Sequence, residues 1–279
     1  MADATAETGT GAGGGDAAGF TSSTARGLGT AWAPAGVTTF DVGPEDAPFR
    51  VLVAAPTAPA PPEGYGLIVA MDAAWTFGTL RDVAGLLGAG RGDASRPTVI
   101  VGVGWPTDTL GDFERRGPDL VGEAGEGPGS AATLRVVAEE ILPRVANALP
   151  LDPSHRMLAG HSFGGAFALR ARAQRPGLFS HIAAGSPSIW TDPEGFFATA
   201  APDGPATLIA VGEYEAGDAA EAAGADADRV ERLRDRDMWG RAHRMSEVLG
   251  ARFVEIPEAG HGQAIAPFLA RAVEFLWNG

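Results

Sequence analysis

The chain of 279 residues contains no cysteine and no lysine. The first absence rules out a disulfide framework and leaves the redox compartment unreadable. The second removes Schiff-base chemistry and the phosphate-gripping lysine of a Walker loop, since all 21 basic residues are arginine. No apolar run reaches the length of a membrane span. The N-terminal stretch has neither a basic n-region nor an apolar h-region, so no secretory signal is predicted and a cytoplasmic location is expected. A net charge of -14 disfavours nucleic acid and anionic membrane surfaces as partners. With no H-E-x-x-H, His-x-His or cysteine cluster, no metal is predicted, and no cofactor. The glycine run Gly11 to Gly15 has no strand before it and no helix after it, which removes a dinucleotide reading.

What is present divides unevenly. Met1 to Thr30 is built of Ala, Gly, Thr and Ser, a composition that buries too little surface to offset ordering entropy, so residues 1–30 are predicted to be disordered. The remaining residues, 31–279, are read as one catalytic domain of the α/β class, with a mainly parallel twisted sheet of about eight strands flanked by helices. Apolar runs predict strands at Val37 to Val42, Phe49 to Ala55, Gly66 to Met71, Thr98 to Gly102, Met157 to Gly160, His181 to Ala184, Ala206 to Val211 and Arg252 to Ile256, the first two as an antiparallel edge hairpin. Helical patterning predicts Thr79 to Leu87, Ala131 to Ala148, Phe163 to Gln174, Asp237 to Leu249 and Ala264 to Trp277. Asp152-Pro153 reads as a turn before the fifth strand.

The richest segment is Gly160-His161-Ser162-Phe163-Gly164, a G-x-S-x-G pentapeptide between a short apolar run and an Ala-rich helical run. In a chain with 40 glycines the pentapeptide alone is weak, and its context carries the argument. Strand, tight turn and helix make a nucleophile elbow with Ser162 at its tip, where side chains two positions to either side would collide. A serine hydroxyl is a poor nucleophile at neutral pH and needs a base, which needs an orienting group. His261 follows the serine, in the Gly-flanked loop Glu258-Ala259-Gly260-His261-Gly262, and is the candidate base. His161 reads as a structural neighbour of the elbow, and His155, His181 and His243 as ordinary residues. The strand Ala206 to Val211 runs into Gly212-Glu213-Tyr214-Glu215, where an orienting carboxylate would emerge. Glu215 is favoured because the loop needs length to turn toward His261; Glu213, Asp218 or a dyad without a carboxylate stay open. For a developing oxyanion, one amide should come from Phe163 and a second from Ala73 or Ala74, after the early strand Gly66 to Met71.

Several segments together resemble the esterase D and enterochelin-esterase-like group of α/β-hydrolases. They are Val69-Ala70-Met71-Asp72; the strand Val99 to Val103 with its Gly104-Trp105-Pro106 turn; Arg115-Arg116-Gly117-Pro118-Asp119-Leu120; Gly160 to Gly165; Gly185-Ser186-Pro187-Ser188-Ile189-Trp190; Gly212-x-x-Glu215; and Gly260-His261. They occur in order across about residues 37–279, and Ser-Pro-Ser-x-Trp is the most specific. The resemblance implies the α/β-hydrolase fold and hydrolysis of small esters or of the ester bonds of catecholate siderophores. It also implies a pocket of basic and aromatic residues, for which Arg115, Arg116, Trp105, Trp190 and Trp75 are the counterparts here. The chain departs from the group at Ala73-Ala74, where relatives have Gly-Asn.

The reading is thus a serine esterase acting through an acyl-enzyme on a small-molecule ester, and the sequence predicts no particular oligomeric state. An acyltransferase or thioesterase on the same scaffold, or a non-catalytic module that kept the elbow, are the alternatives. The mixed-charge stretch between Glu215 and Trp239 reads as a solvated loop and helix face, or else a small cap over the site; the Gly-rich loop from Trp105 to Ser130 could be another wall.

Overall fold

The sheet order explains where chemistry can sit. In the computed structural model, which describes residues 35–88, 96–107, 109–122 and 129–279, eight strands pair in the order β1-β2-β4-β3-β5-β6-β7-β8. These are β1 Val37–Val42, β2 Phe49–Ala54, β3 Tyr65–Met71, β4 Thr98–Gly104, β5 Leu151–His161, β6 His181–Gly185, β7 Ala206–Gly212 and β8 Arg252–Ile256. The β1–β2 hairpin is antiparallel as expected, β2 also pairs antiparallel with β4, and every other neighbour is parallel. All described residues belong to the unit Trp32–Gly279. The disorder expected for residues 1–30 falls outside the described residues.

The strands read as continuous apolar runs because helices cover both faces. β3, β4 and β6 are buried along their whole length, as parallel strands sandwiched by helices must be. Alternation along each strand sends successive side chains to opposite faces. Leu67, Val69, Val101 and Leu158 meet Leu134, Ile141 and Phe167 on one face. Ile68, Ala70, Ile100 and Met157 meet Phe77, Leu80, Phe268 and Leu269 on the other. The helices concerned are α1 Ala73–Gly88 and α10 Ile265–Asn278 on the second face, and α3 Gly129–Val136, α4 Leu142–Ala148 and α5 Phe163–Gln174 on the first.

Several boundaries differ from the sequence reading. α1 starts at Ala73, directly off β3, not at Thr79, because Thr76 turns its hydroxyl onto the carbonyls of Met71 and Asp72 and closes the first turn. Asp152-Pro153 lies inside β5; the buried Asp152 carboxylate satisfies Ser154 N and His155 Nδ1 locally, which lets the strand begin at Leu151. The helix expected over Ala131 to Ala148 carries a π turn, Val137–Ile141, before α4. Pro143 follows it, with no N–H for an i−4 carbonyl and a ring that would strike it, and a widened turn relieves both. Short helices α2 Phe113–Leu120 and α6 Pro193–Thr199 are additional. The Glu215 to Trp239 stretch is mostly helical, with α7 Gly217–Ala222 and α8 Ala227–Arg236 before α9 Met238–Leu249. Among the described residues no helix is long and apolar enough to cross a membrane.

The chain leaves β3 in one direction along the sheet and β5 in the other, so the carboxyl ends of these adjacent strands open a crevice at the switch in winding order. Asp72 and Ser162 are the residues that emerge there.

Candidate active site

Ser162 links β5 to α5 with φ 61° and ψ −117°, a backbone conformation that costs a non-glycine residue roughly 1–3 kcal/mol. Three backbone hydrogen bonds impose it: Ser162 N–H donates to Gly185 O at 2.8 Å, and its carbonyl accepts from Ala166 N at 3.0 Å and Ser188 N at 3.1 Å. The turn is tight enough that a Cβ on Gly160 would lie 2.2 Å from the carbonyl oxygen of Gly164. That is the collision anticipated from the pentapeptide. The hydroxyl of Ser162 lies 3.3 Å from that of Ser188.

β7 leads into the turn that holds the candidate carboxylates. Beyond Gly212 the chain makes a short 3-10 turn, Glu213–Glu215, which sends alternate carboxylates to different sides. Glu215 turns inward, 1% exposed, and its Oε2 lies 2.6 Å from His261 Nδ1. Its Oε1 accepts from Ser186 Oγ at 2.5 Å and from Gly212 N at 2.9 Å. Glu213 instead accepts from Glu258 N at 2.8 Å, bracing the histidine loop, and Asp218 pairs with Arg234 on the surface. Of the three carboxylates considered, Glu215 is the one the fold brings to His261. The loop carrying His261 is pinned close to β7: Tyr214 N donates to Ala259 O at 2.9 Å, and a Cβ on Gly212 would lie 2.3 Å from that oxygen.

His261 packs on the imidazole of His161, ring centres 4.6 Å apart. His161 is buried, and its Nε2 has no hydrogen-bond partner among the described residues. Burial holds its pKa well below the ordinary histidine value, with positive charge at His261 and Arg116 acting the same way and a hydrogen bond to the backbone of His261 opposing. His161 is therefore neutral, an uncharged floor beneath His261.

On the other side of the crevice, Asp72 has φ 60° and is buried. Burial pushes its carboxyl above the usual carboxylate range, against the pull of Arg116. Arg116 grips it with two hydrogen bonds, Nε to Oδ1 at 2.7 Å and Nη2 to Oδ2 at 3.0 Å, and reaches His161 O at 3.3 Å. The guanidinium also lies between the rings of Trp75 and Phe163, at 5.2 and 5.1 Å from their centres. Ala73 and Phe163 open α1 and α5, and the first amides of a helix have no partner inside it. Both expected oxyanion donors thus begin helices whose positive dipole ends meet at the crevice. Ala74 follows in the first turn of α1 and is exposed.

The expected pocket residues divide. Arg115 is committed to the carbonyls of Pro48 and Ala47 and to Asp119, which also receives the indole N–H of Trp105. These ties anchor α2 to the turn after β1. Trp105 nonetheless borders a cleft of about 240 Å³ beside Ala73 and Ala74, with Leu110 and Gly111 on its rim. Trp75 stacks on the exposed Phe113, and Trp190 lies between Phe163 and the guanidinium of Arg236. Arg116, expected to meet ligand, spends its fork on Asp72. Ser186, Ser188 and Asp72 were legible only as parts of family motifs, without roles; Arg236 had no signal beyond the arginine-rich stretch. Among the described residues no group of acidic or histidine side chains is arranged to hold a metal ion.

This sheet, elbow and histidine loop define a protein of the α/β-hydrolase fold. The fold is shared with the siderophore hydrolases EstB and EstA of Aspergillus nidulans, with TM-scores of 0.77 and 0.74 at 21% and 22% identity, covering 88% and 89% of this chain and 96% and 98% of theirs. Residues 46–260 match the profile of the Esterase family, described as "Putative esterase". The chain belongs to that family and is a carboxylic ester hydrolase. By sequence it is 27% identical over 258 residues to the ferri-bacillibactin esterase BesA of Bacillus subtilis, covering 83% of this chain and 85% of that one.

Proposed function

We propose that this esterase works through a Ser162–His261–Glu215 triad and an acyl-enzyme. His261 takes the proton of Ser162 as its oxygen attacks the ester carbonyl, and Glu215 holds the imidazole through Nδ1, which leaves Nε2 as the nitrogen that accepts that proton. The amides of Phe163 and Ala73 stabilise the tetrahedral oxyanion, with Ala74 as the alternative second donor. Protonation of the leaving alkoxide by His261 releases the alcohol, and a water deprotonated by the same residue cleaves the acyl-enzyme. The observation that carries this reading is the 2.6 Å contact between His261 Nδ1 and a buried carboxylate in a loop pinned to β7. With its side chain 45% exposed, His261 is open to solvent, which favours water over a bulky acyl acceptor in the second step.

For substrate we propose an ester of the siderophore type, on the names of the relatives and on the aromatic side chains around the crevice. The test is intact mass after exposure to a fluorophosphonate, which captures an activated serine. We expect one adduct on the wild type and none on Ser162→Ala or His261→Ala; an unlabelled wild type would overturn the mechanism. Untreated wild type would then be assayed on siderophore and simple aryl esters.

A further inference from the structure

The hydroxyl of Ser186 has no role in the scheme above, yet its geometry is unusual. Ser186 is buried, 1% exposed, and sits at φ 39°, in the left-handed region that disfavours side chains. Its amide donates to Ala210 O at 2.6 Å, which fixes the backbone, and its hydroxyl donates to Glu215 Oε1 at 2.5 Å. A glycine would remove the strain at this position, so a strained serine asks for a reason.

We propose that Ser186 is a positioning residue for the acid of the triad; the proposal rests on the triad reading above. A carboxylate on a flexible glutamate side chain can offer either oxygen to the histidine and rotate about its last torsion. Here two donors, the Ser186 hydroxyl and the Gly212 amide, both occupy Oε1. Oε2 is left as the oxygen for His261, and the carboxylate plane is locked against rotation. The amide alone lies on the acid's own turn and moves with it, whereas Ser186 comes from the end of β6 and ties the acid to an independent element. The same loop reaches the nucleophile, since Ser188 N donates to the carbonyl of Ser162. Acid and nucleophile are therefore referenced to one tripeptide, Ser186-Pro187-Ser188, and Ser186 acts on the reaction only through Glu215.

Two substitutions separate this role from a structural one. Ser186→Gly removes the hydroxyl and relieves the backbone, so its melting temperature should equal or exceed that of the wild type. Its kcat on a p-nitrophenyl ester should nonetheless fall roughly tenfold to a hundredfold, the scale of one hydrogen bond to a charged group, with KM unchanged. Ser186→Ala should lose the same rate while keeping the strain. In a Glu215→Gln background, adding Ser186→Gly should cost about twofold or less, because the group it positions has gone. Full activity in Ser186→Gly, a loss confined to KM, or additive losses in the double variant would overturn the proposal. If Glu215→Gln itself kept the wild-type rate, the triad reading would fall first and this one with it, whereas an inactive Glu215→Gln beside a fully active Ser186→Gly would remove the role of Ser186 alone.

Discussion

Asp72 and Glu215 form a matched pair. Each is a buried carboxylate just beyond the carboxyl end of a parallel strand, and each flanks the crevice that holds Ser162. Their partners differ in kind. Asp72 is neutralised by the fork of Arg116, which is itself 11% exposed and stacked between two aromatic rings. Glu215 meets an imidazole, a hydroxyl and an amide. A guanidinium stays protonated throughout any reaction, so the Asp72 pair is a fixed bolt between α2 and the strand that leads into α1, with Arg116 also reaching the carbonyl of His161 at the end of β5. An imidazole takes and returns a proton, so a carboxylate held by neutral donors beside it can stabilise a charge that comes and goes. On the proposed mechanism, the chemistry of the partner, more than burial, separates the structural carboxylate from the working one.

Substituting each acid by its amide should break this symmetry in opposite directions. Glu215→Gln is expected to lose about 10⁴-fold in kcat, because the amide can present an N–H to Nδ1 and favour the wrong tautomer, while the denaturation midpoint moves little. Asp72→Asn tolerates the left-handed backbone, so its cost isolates the ion pair: a buried arginine left without its counter-charge should remove roughly 3–5 kcal/mol of stability. Adding Arg116→Met to Asp72→Asn should recover much of that loss, since removing both charges spares the desolvation of either. Urea midpoints and initial rates on the same four proteins check both halves, and a Glu215→Gln that unfolds early but turns over normally would reverse the assignment.

His161 sharpens the comparison with a third buried group, one without a counter-charge among the described residues. Its pKa is lowered in the fold, so over the interval below its unfolded value the unfolded chain binds the extra proton. The stability contributed by keeping it neutral is complete above about pH 6.5 and drains away as pH falls below that, at up to about 1.4 kcal/mol per pH unit. His181, lowered by burial and then by the charge of His155, adds to the trend. His161→Gln should therefore flatten the dependence of stability on pH between 6.5 and 5 relative to the wild type, as read from urea midpoints at half-unit intervals. Parallel curves would mean that His161 is not the group being titrated.

Much of the fold was legible because the parallel strands are buried on both faces and stand out as apolar runs, and because the elbow glycines sit where no side chain fits. The order serine, acid, histidine placed Ser162, Glu215 and His261 in one reading, and loop length alone favoured Glu215 over its neighbours. What escaped was set by contacts between segments far apart in the chain. Nothing local to Arg116 tells that its partner is Asp72, 44 residues earlier, so a buried bolt looked like a ligand-binding cation. The 217–236 stretch was read as a solvated loop and helix face without helix bounds, because its exposed, charge-rich faces carry almost no apolar periodicity, with Ala220 and Val230 the buried residues of its two helices.

The smallest effect is expected at Ser188, and it tests whether distance and charge decide what a hydroxyl contributes. Ser186 and Ser188 are both 1% exposed and stand two residues apart. One hydroxyl reaches a carboxylate oxygen at 2.5 Å, the other a neutral hydroxyl at 3.3 Å, beyond the usual O–H···O separation. Ser188→Ala leaves the backbone bond from Ser188 N to Ser162 O in place, so it deletes the hydroxyl contact alone. In the proposed mechanism Ser162 turns toward His261 before it attacks, so a contact that holds it toward Ser188 offers the reaction little. A change of about threefold or less in kcat, of either sign, with KM and urea midpoint preserved, is the expected outcome. A loss as large as that of Ser186→Gly would show instead that the tripeptide acts as one rigid unit in which any missing hydroxyl misaligns both ends, and the contrast between charged and neutral partners would no longer explain the site.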